Sequence, residues 1–317
     1  RELVGDFVTL FGTADPELLE HEGKAFTAGD RRYTVDVHGY SLSVYSGTGS
    51  RRAIAHDAIV RKIAEIMSFA GLRGVAVEDA NVFKCCIGNT ARRRRYLQQL
   101  RLHTTGHGIR PDLSVPRHPT ARSPDGPSQH QLYDVKTIGR TSKYHTAYRV
   151  QPVDQRARAV PGEYLRSAIQ CDRTWNETPP GTVGTFEAYL RSLPPVIGLG
   201  FGGYGEWSKE VDSLIGQLAE IASAVPERLG CCHGPAQAQG QYAQWARKHL
   251  HRESLREVSR CRHAALDRLL LRPTETFAGD PDYCRRMDDA PNDPGVANAW
   301  DSSDARGGHE DLPPRGG

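Results

Sequence analysis

No stretch of this 317-residue chain stays apolar for the roughly 18 residues that a membrane-spanning helix needs, so no such helix is expected. It also lacks a disulfide framework. The seven cysteines (Cys85, Cys86, Cys171, Cys231, Cys232, Cys261 and Cys284) are odd in number and include two adjacent pairs. That pattern fits poorly with a stapled secreted fold and suits a reducing compartment, so an intracellular protein, nuclear or cytoplasmic, is expected. There is no G-x-S-x-G elbow and no Walker loop, which removes support for a serine hydrolase or a P-loop NTPase. The chain opens on "RELVGDFVTL", without an initiator Met or a signal-peptide pattern, and the expectation is a piece of a longer protein.

What is present fits one or two soluble domains with a modest core and many loops: charged residues make up 25%, apolar residues 38%, with 20 Pro and 32 Gly. Charge is unevenly spread. From Pro273 onward there are 4 basic and 10 acidic residues, against 37 and 28 upstream, so the body carries +9 and the tail −6. A basic body suits a polyanion partner, and an acidic tail rich in Pro, Gly, Asp and Ser (273–317) is expected to be disordered.

Periodicity places the elements. Residues 31–47 alternate and read as one or two strands within an otherwise unassigned N-terminal segment, 1–52. Ile59, Ile63, Ile66 and Ala70 predict a helix over 53–70, ended by Gly71. Residues 74–87 read as a strand or hairpin, 90–100 as a basic helix, 109–115 as a short strand, 116–130 as a Pro- and Ser-rich loop and 131–139 as a strand. A helix is predicted within 153–173 after Pro161, a helical turn over 186–193 and a buried strand over 194–202. Helices follow over 208–225, with Ser208 as N-cap, and over 236–271, broken near residue 251 and carrying Tyr242, Trp245, Leu255, Val258, Leu266 and Leu269 as apolar spots. The order predicts an α/β fold, with α+β as the alternative, built on a small central sheet flanked by helices.

Two acids and a lysine stand out in this frame. Asp112 follows Pro111 at the start of one strand, and Asp134 lies 22 residues later in the next, within "QLYDVKTIG". Lys136, two positions on, shares its face, because side chains alternate along a strand. Two carboxylates on adjacent strands suit a hard cation such as Mg²⁺ or Mn²⁺ that keeps waters and takes substrate phosphate. Such an ion acidifies a bound water and neutralises the scissile phosphate, and a neighbouring Lys orients that water or stabilises developing charge. The bland alternative is a solvent-facing charge pair on an exposed strand, with Asp112 as a turn residue.

The run Pro111-Asp112 … Asp134-Val135-Lys136, with a helix before the first strand and one after the last, resembles the PD-(D/E)xK nuclease superfamily over about residues 53–173. That resemblance implies a restriction-endonuclease-like core, a DNA substrate (RNA as an alternative), Asp112 and Asp134 as metal ligands, and Lys136 as a catalytic residue; residues 174–272 read separately as a mainly helical extension. A third acid is implied among Asp57, Glu65 and Glu78, with Glu78 preferred because "VAVED" would bring it beside Asp112. His56-Asp57 in "AHDAIVRKI" is similar to the R-H-D/N motif of restriction-like endonuclease domains in retrotransposon polyproteins, although Ala55 stands where the Arg would be and the upstream zinc knuckle is absent. This adds His56 as a candidate catalytic residue and DNA nicking for mobile-element insertion as the task. A non-catalytic nucleic-acid-binding remnant of such an element is the first alternative.

Three further signals remain. Arg92, Arg93, Arg94 and Arg95, followed by Tyr96, and then Lys143, Arg149, Arg156 and Arg158, are candidates for phosphate contacts. Gly200-x-Gly202-x-x-Gly205 has dinucleotide-fingerprint spacing, which makes a dinucleotide-binding enzyme the second alternative, with tight backbone packing as the plainer account. Cys231-Cys232-His233 with Cys261 and His263 has poor zinc spacing.

Overall fold

The stripe of Ile59, Ile63, Ile66 and Ala70 becomes one buried edge of a helix, as its spacing predicts, and that helix is the floor on which a sheet is laid. The structure, a computed structural model, describes residues 16–28, 31–37, 49–101, 108–116, 130–138, 150–203, 205–224 and 234–270. A short helix α1 (Pro16–Leu19) and a hairpin of β1 (Ala25–Ala28) and β2 (Arg31–Thr34) come first. Then follow α2 (Gly49–Ala70), β3 (Ala76–Val77), a 3₁₀ turn (Lys84–Cys86), α3 (Thr90–Arg101), β4 (Leu113–Val115) and β5 (Gln131–Thr137). The chain continues with α4 (Val150–Asn176), α5 (Thr185–Ser192), β6 (Ile197–Phe201), α6 (Lys209–Ser223) and α7 (Pro235–Leu270).

The main sheet runs β3-β4-β5-β6. The first two pairings are antiparallel and β5 to β6 is parallel. A parallel pair needs a crossover, and α4 with α5 supplies it. The fold class read from the sequence, α/β on a small mixed sheet, is therefore what the chain adopts. Both faces of the sheet are covered. Tyr133, Val135, Leu113 and Leu199 pack with α2, α6 and α7, while Leu132 packs with α3, α4 and α5. This places β5 in the interior of the sheet rather than at an exposed edge. The span 174–272 is mainly helical, and it also contributes β6 and much of the core beneath β5.

Other differences have local causes. The 74–87 segment keeps only a two-residue strand, because Glu78 takes a left-handed φ of 50° and turns the chain away. Helix α7 runs unbroken through residue 251. Leu266 and Leu269 have no described side chain, and the segment 273–317 lies outside the described residues. Among the described residues, no helix is long and apolar enough to cross a membrane, and Cys85, Cys86, Cys171 and Cys261 form no disulfide.

Helix α4 begins before Pro161 and contains it. Proline has no N–H, so the carbonyl four residues earlier, that of Ala157, loses its helical partner. That same carbonyl lies against β6: a Cβ added to Gly198 would sit 2.2 Å from Ala157 O, and one added to Gly200 would sit 2.7 Å from Val153 O. Two glycines in β6 thus let a helix backbone rest directly on a strand. Gly198→Ala is expected to destabilise the chain by about 1–3 kcal/mol through overpacking against backbone that has no rotamer to change. Gly216→Ala, with nothing within 4 Å of its added Cβ in mid-α6, should instead stabilise by about 0.5–1 kcal/mol. Urea unfolding midpoints of the two variants against wild type check both signs.

Candidate active site

Strand β4 begins only at Leu113, opposite Tyr133, while its neighbour β5 runs on to Thr137, and the site lies where the two part. Pro111 gives the physical reason, since it has no N–H to continue the ladder. Past that point the backbone of Val135 faces a gap, and side chains fill it. The Asp112 carboxylate accepts the Val135 amide at 2.6 Å, and His56, reaching over from α2, places Nε2 3.2 Å from the Val135 carbonyl and 3.2 Å from Asp112 Oδ2. The other ring nitrogen, Nδ1, is 3.2 Å from Asp57 Oδ1. Both ring nitrogens face oxygen acceptors, so only a doubly protonated imidazolium satisfies both sides. Burial works against that charge, but the hydrogen bonds to Asp112 and Asp57, with the charges of Asp112 and Asp134, outweigh it and push the pKa to about 10.

Asp134 is 7% exposed, on the face of β5 turned to α4. Its Oδ1 accepts the Tyr164 hydroxyl at 2.9 Å. Its Oδ2 lies 3.1 Å from Lys136 Nζ as an ion pair. Burial is the main cause that pushes the Asp134 carboxyl up to about 6. The Asp112 charge adds to the shift, and Lys136 and Tyr164 oppose it. Lys136 is itself held above its usual range: burial disfavours its charge, and the carboxylates of Asp134 and Glu163 outweigh that. Lys136 Nζ is 3.4 Å from Glu163 Oε2, and Glu163 Oε1 accepts from Arg156 at 2.9 Å.

The structure therefore gathers His56, Asp57, Asp112, Asp134 and Lys136, and it adds Glu163 and Tyr164 from α4. Sequence reasoning passed over these two. Their one signal was that Val160, Tyr164, Ala168 and Cys171 form a buried helical stripe, which turns this part of α4 toward the sheet. Arg156, expected on a phosphate-contacting surface, is here the partner of Glu163.

Other candidates fall elsewhere. Glu78 is not brought into the cluster. Its backbone amide bonds Asp112 O, and its carboxylate turns outward to Arg110 at 3.2 Å. Glu65 pairs with Lys62 on an exposed turn of α2. In the arginine run, Arg92 bonds Trp175 O and Glu177, and Arg93 bonds Ile87 O twice, so these two tie α3 to its surroundings, while Arg94 and Arg95 are exposed. Arg158 is exposed beside Asp154. Lys143, Arg149 and Cys231-Cys232-His233 lie outside the described residues. Gly200 and Gly202 serve close packing, Gly205 takes a φ of 82°, and the first amide of α6, Lys209 N, already bonds Asp154 Oδ1. Among the described residues no strand follows α6 to carry a ribose-binding acid. Ser208 does stand at the N-cap of α6, but its hydroxyl accepts from Gly200 N instead of capping.

Among the described residues no three His, Cys, Asp or Glu side chains form a ready-made metal cage. Asp112 and Asp134 nevertheless suit a hard cation that keeps waters and takes phosphate: the Asp112 charge raises the cost of ionising Asp134, whose buried Oδ2 has the Lys136 ammonium as its partner. No family model, curated protein or solved structure matches the chain.

The imidazolium bridge has a measurable consequence. His56 is raised in the folded state, so its contribution is complete below its unfolded pKa of about 6.5 and is lost as pH rises toward about 10. Wild type should lose stability across that window relative to His56→Gln, whose midpoint should change less. Parallel unfolding midpoints of the two proteins between pH 6.5 and 10 would contradict the assignment.

Proposed function

We propose that this chain is a divalent-metal-dependent nuclease that hydrolyses phosphodiester bonds in DNA. The observation that carries the reading is the Asp134–Lys136 ion pair on β5, with the Asp112 carboxylate bonded to the amide of Val135 between them. The helix before these strands and the helix after them, α2 and α4, are in the order on which the PD-(D/E)xK resemblance rests. Asp112 and Asp134 are the residues that would hold Mg²⁺ or Mn²⁺. When bound, such an ion supplies an acidified water and neutralises charge on the scissile phosphate.

The chain's own residues do the rest. The Val135 amide and His56 fix the Asp112 carboxylate, and the Tyr164 hydroxyl fixes Asp134, so both carboxylates are oriented before any ligand arrives. Lys136 carries a positive charge beside Asp134, placed to steady an attacking water or a developing oxyanion. The net +9 of the body upstream of Pro273 suits a nucleic-acid backbone. The His56-Asp57 pair adds the narrower expectation that the cut is a nick serving insertion of a mobile element.

The test is cleavage of plasmid DNA with Mg²⁺ or Mn²⁺ by wild type, Asp134→Asn and Lys136→Met. Wild type should nick the DNA. Each variant should lose about a hundredfold or more in rate, the scale seen when a preorganised charge-stabilising group is removed, while DNA binding persists. Equal rates in all three would end the proposal. Binding without cutting by wild type would favour the remnant reading instead, and cutting confined to an RNA substrate would change the substrate class.

A further inference from the structure

Four charges alternate in a row on the α4 side of the site: Asp134, Lys136, Glu163 and Arg156. Lys136 Nζ stands between two carboxylates, 3.1 Å from Asp134 Oδ2 and 3.4 Å from Glu163 Oε2. The three side chains are 10%, 17% and 20% exposed, so none can simply retreat into water. Arg156 holds the far oxygen of Glu163 at 2.9 Å from one helical face, seven residues away on the same helix. Glu163 is thus fixed by an arginine on one side and presents its other oxygen to the lysine.

This arrangement resolves a conflict within the site. Asp134 Oδ2 is the oxygen that a cation would use, and the Lys136 ammonium lies against it. Two cations cannot share one carboxylate oxygen in a partly dehydrated site without strong repulsion. An ammonium leaving Asp134 needs another anion within reach, because a buried unpaired charge is expensive.

We propose that Glu163, steadied by Arg156, is a positioning residue: it is the second seat for the Lys136 ammonium, receiving it when a divalent cation takes Asp134 Oδ2. Glu163 does not bind the metal. It keeps Lys136 charged and adjacent while freeing the aspartate, so the same lysine serves as a counter-ion to Asp134 before an ion binds and as the charge beside the substrate afterwards. The inference rests on the metal-dependent reading above and assigns Glu163 a role within it.

The experiment measures binding of Mn²⁺ alone, by the loss of its free electron-paramagnetic-resonance signal, without DNA or turnover. Proteins are wild type, Glu163→Gln, Lys136→Met and the double variant. Glu163→Gln should bind Mn²⁺ roughly tenfold more weakly, the scale of one charge-assisted hydrogen bond, because Lys136 is left with Asp134 as its one anion. Lys136→Met should bind at least as tightly as wild type. The double variant should match Lys136→Met, since with the ammonium gone Glu163 has nothing to receive. Arg156→Met, which leaves Glu163 charged but unsteadied, should weaken binding in the same direction and lose that effect in the Lys136→Met background, which keeps the test alive if Glu163→Gln folds poorly. A double variant as weak as Glu163→Gln would mean that Glu163 ligates the ion directly, and it overturns the proposal. Unchanged affinity in both Glu163→Gln and Arg156→Met overturns it as well, while leaving the nuclease reading standing. Absence of Mn²⁺ binding by wild type would sink both.

Discussion

A carboxylate on an inner strand of a sheet covered on both faces is the constraint around which this site is arranged. Asp134 lies between two apolar clusters, one built on α2, α6 and α7 and the other on α3, α4 and α5. Leaving its charge unanswered there would cost several kcal/mol. The surroundings supply a tyrosine hydroxyl from α4, an ammonium two residues along the strand, and a protonated His56 near enough to interact. These answers are partial. One oxygen has the Lys136 ammonium as its partner and no aligned hydrogen bond, and the carboxyl is pushed up to about 6, mainly by burial. Incomplete satisfaction inside a well-packed fold is characteristic of functional sites, where local cost is tolerated because the surrounding core supports it.

The second element of the arrangement is the late start of β4. Pro111 denies the ladder a donor, and the Val135 backbone is then completed by Asp112 and His56 rather than by another strand. One local irregularity thus delivers two things. Asp112 is fixed to the backbone next to Asp134, and α2 is tied to the sheet through an imidazolium. The glycines of β6 act on the other side: Gly198 and Gly200 let the α4 backbone settle against the strand, and the same helix carries Glu163 and Tyr164 toward Asp134 and Lys136.

The four-charge row from Asp134 to Arg156 shows why reading acids by sequence distance alone selects poorly. Glu78 is the nearest acid along β3 and is bonded through its backbone to Asp112, yet its left-handed conformation turns the carboxylate to Arg110. Glu163 is 27 residues beyond Lys136 in the sequence and meets it because a crossover helix lies over the strand it follows. The arginine run shows the same effect. A strongly basic string reads as a phosphate surface, but Arg92 and Arg93 are committed to backbone carbonyls that α3 must satisfy where it docks.

What the amino-acid order determined by itself was whatever depends on near neighbours. The Ile59–Ala70 stripe specified a helix, the alternation around Asp134 specified a strand, and the two-residue period put Asp134 and Lys136 on one face. Pro111-Asp112 marked where a strand begins and which acid stands there. Only the tertiary structure decided which distant groups share a site. It placed β5 inside the sheet and so buried the charge pair. It brought Asp112 to the Val135 amide and His56 to both, and it chose Glu163 and Tyr164 over Glu78. The reason is physical. Helix and strand periods are set by backbone geometry over a few residues, whereas the docking of α4 and α2 on the sheet is set by burial of two apolar clusters drawn from the whole chain. The polar groups of the site meet where that burial leaves them.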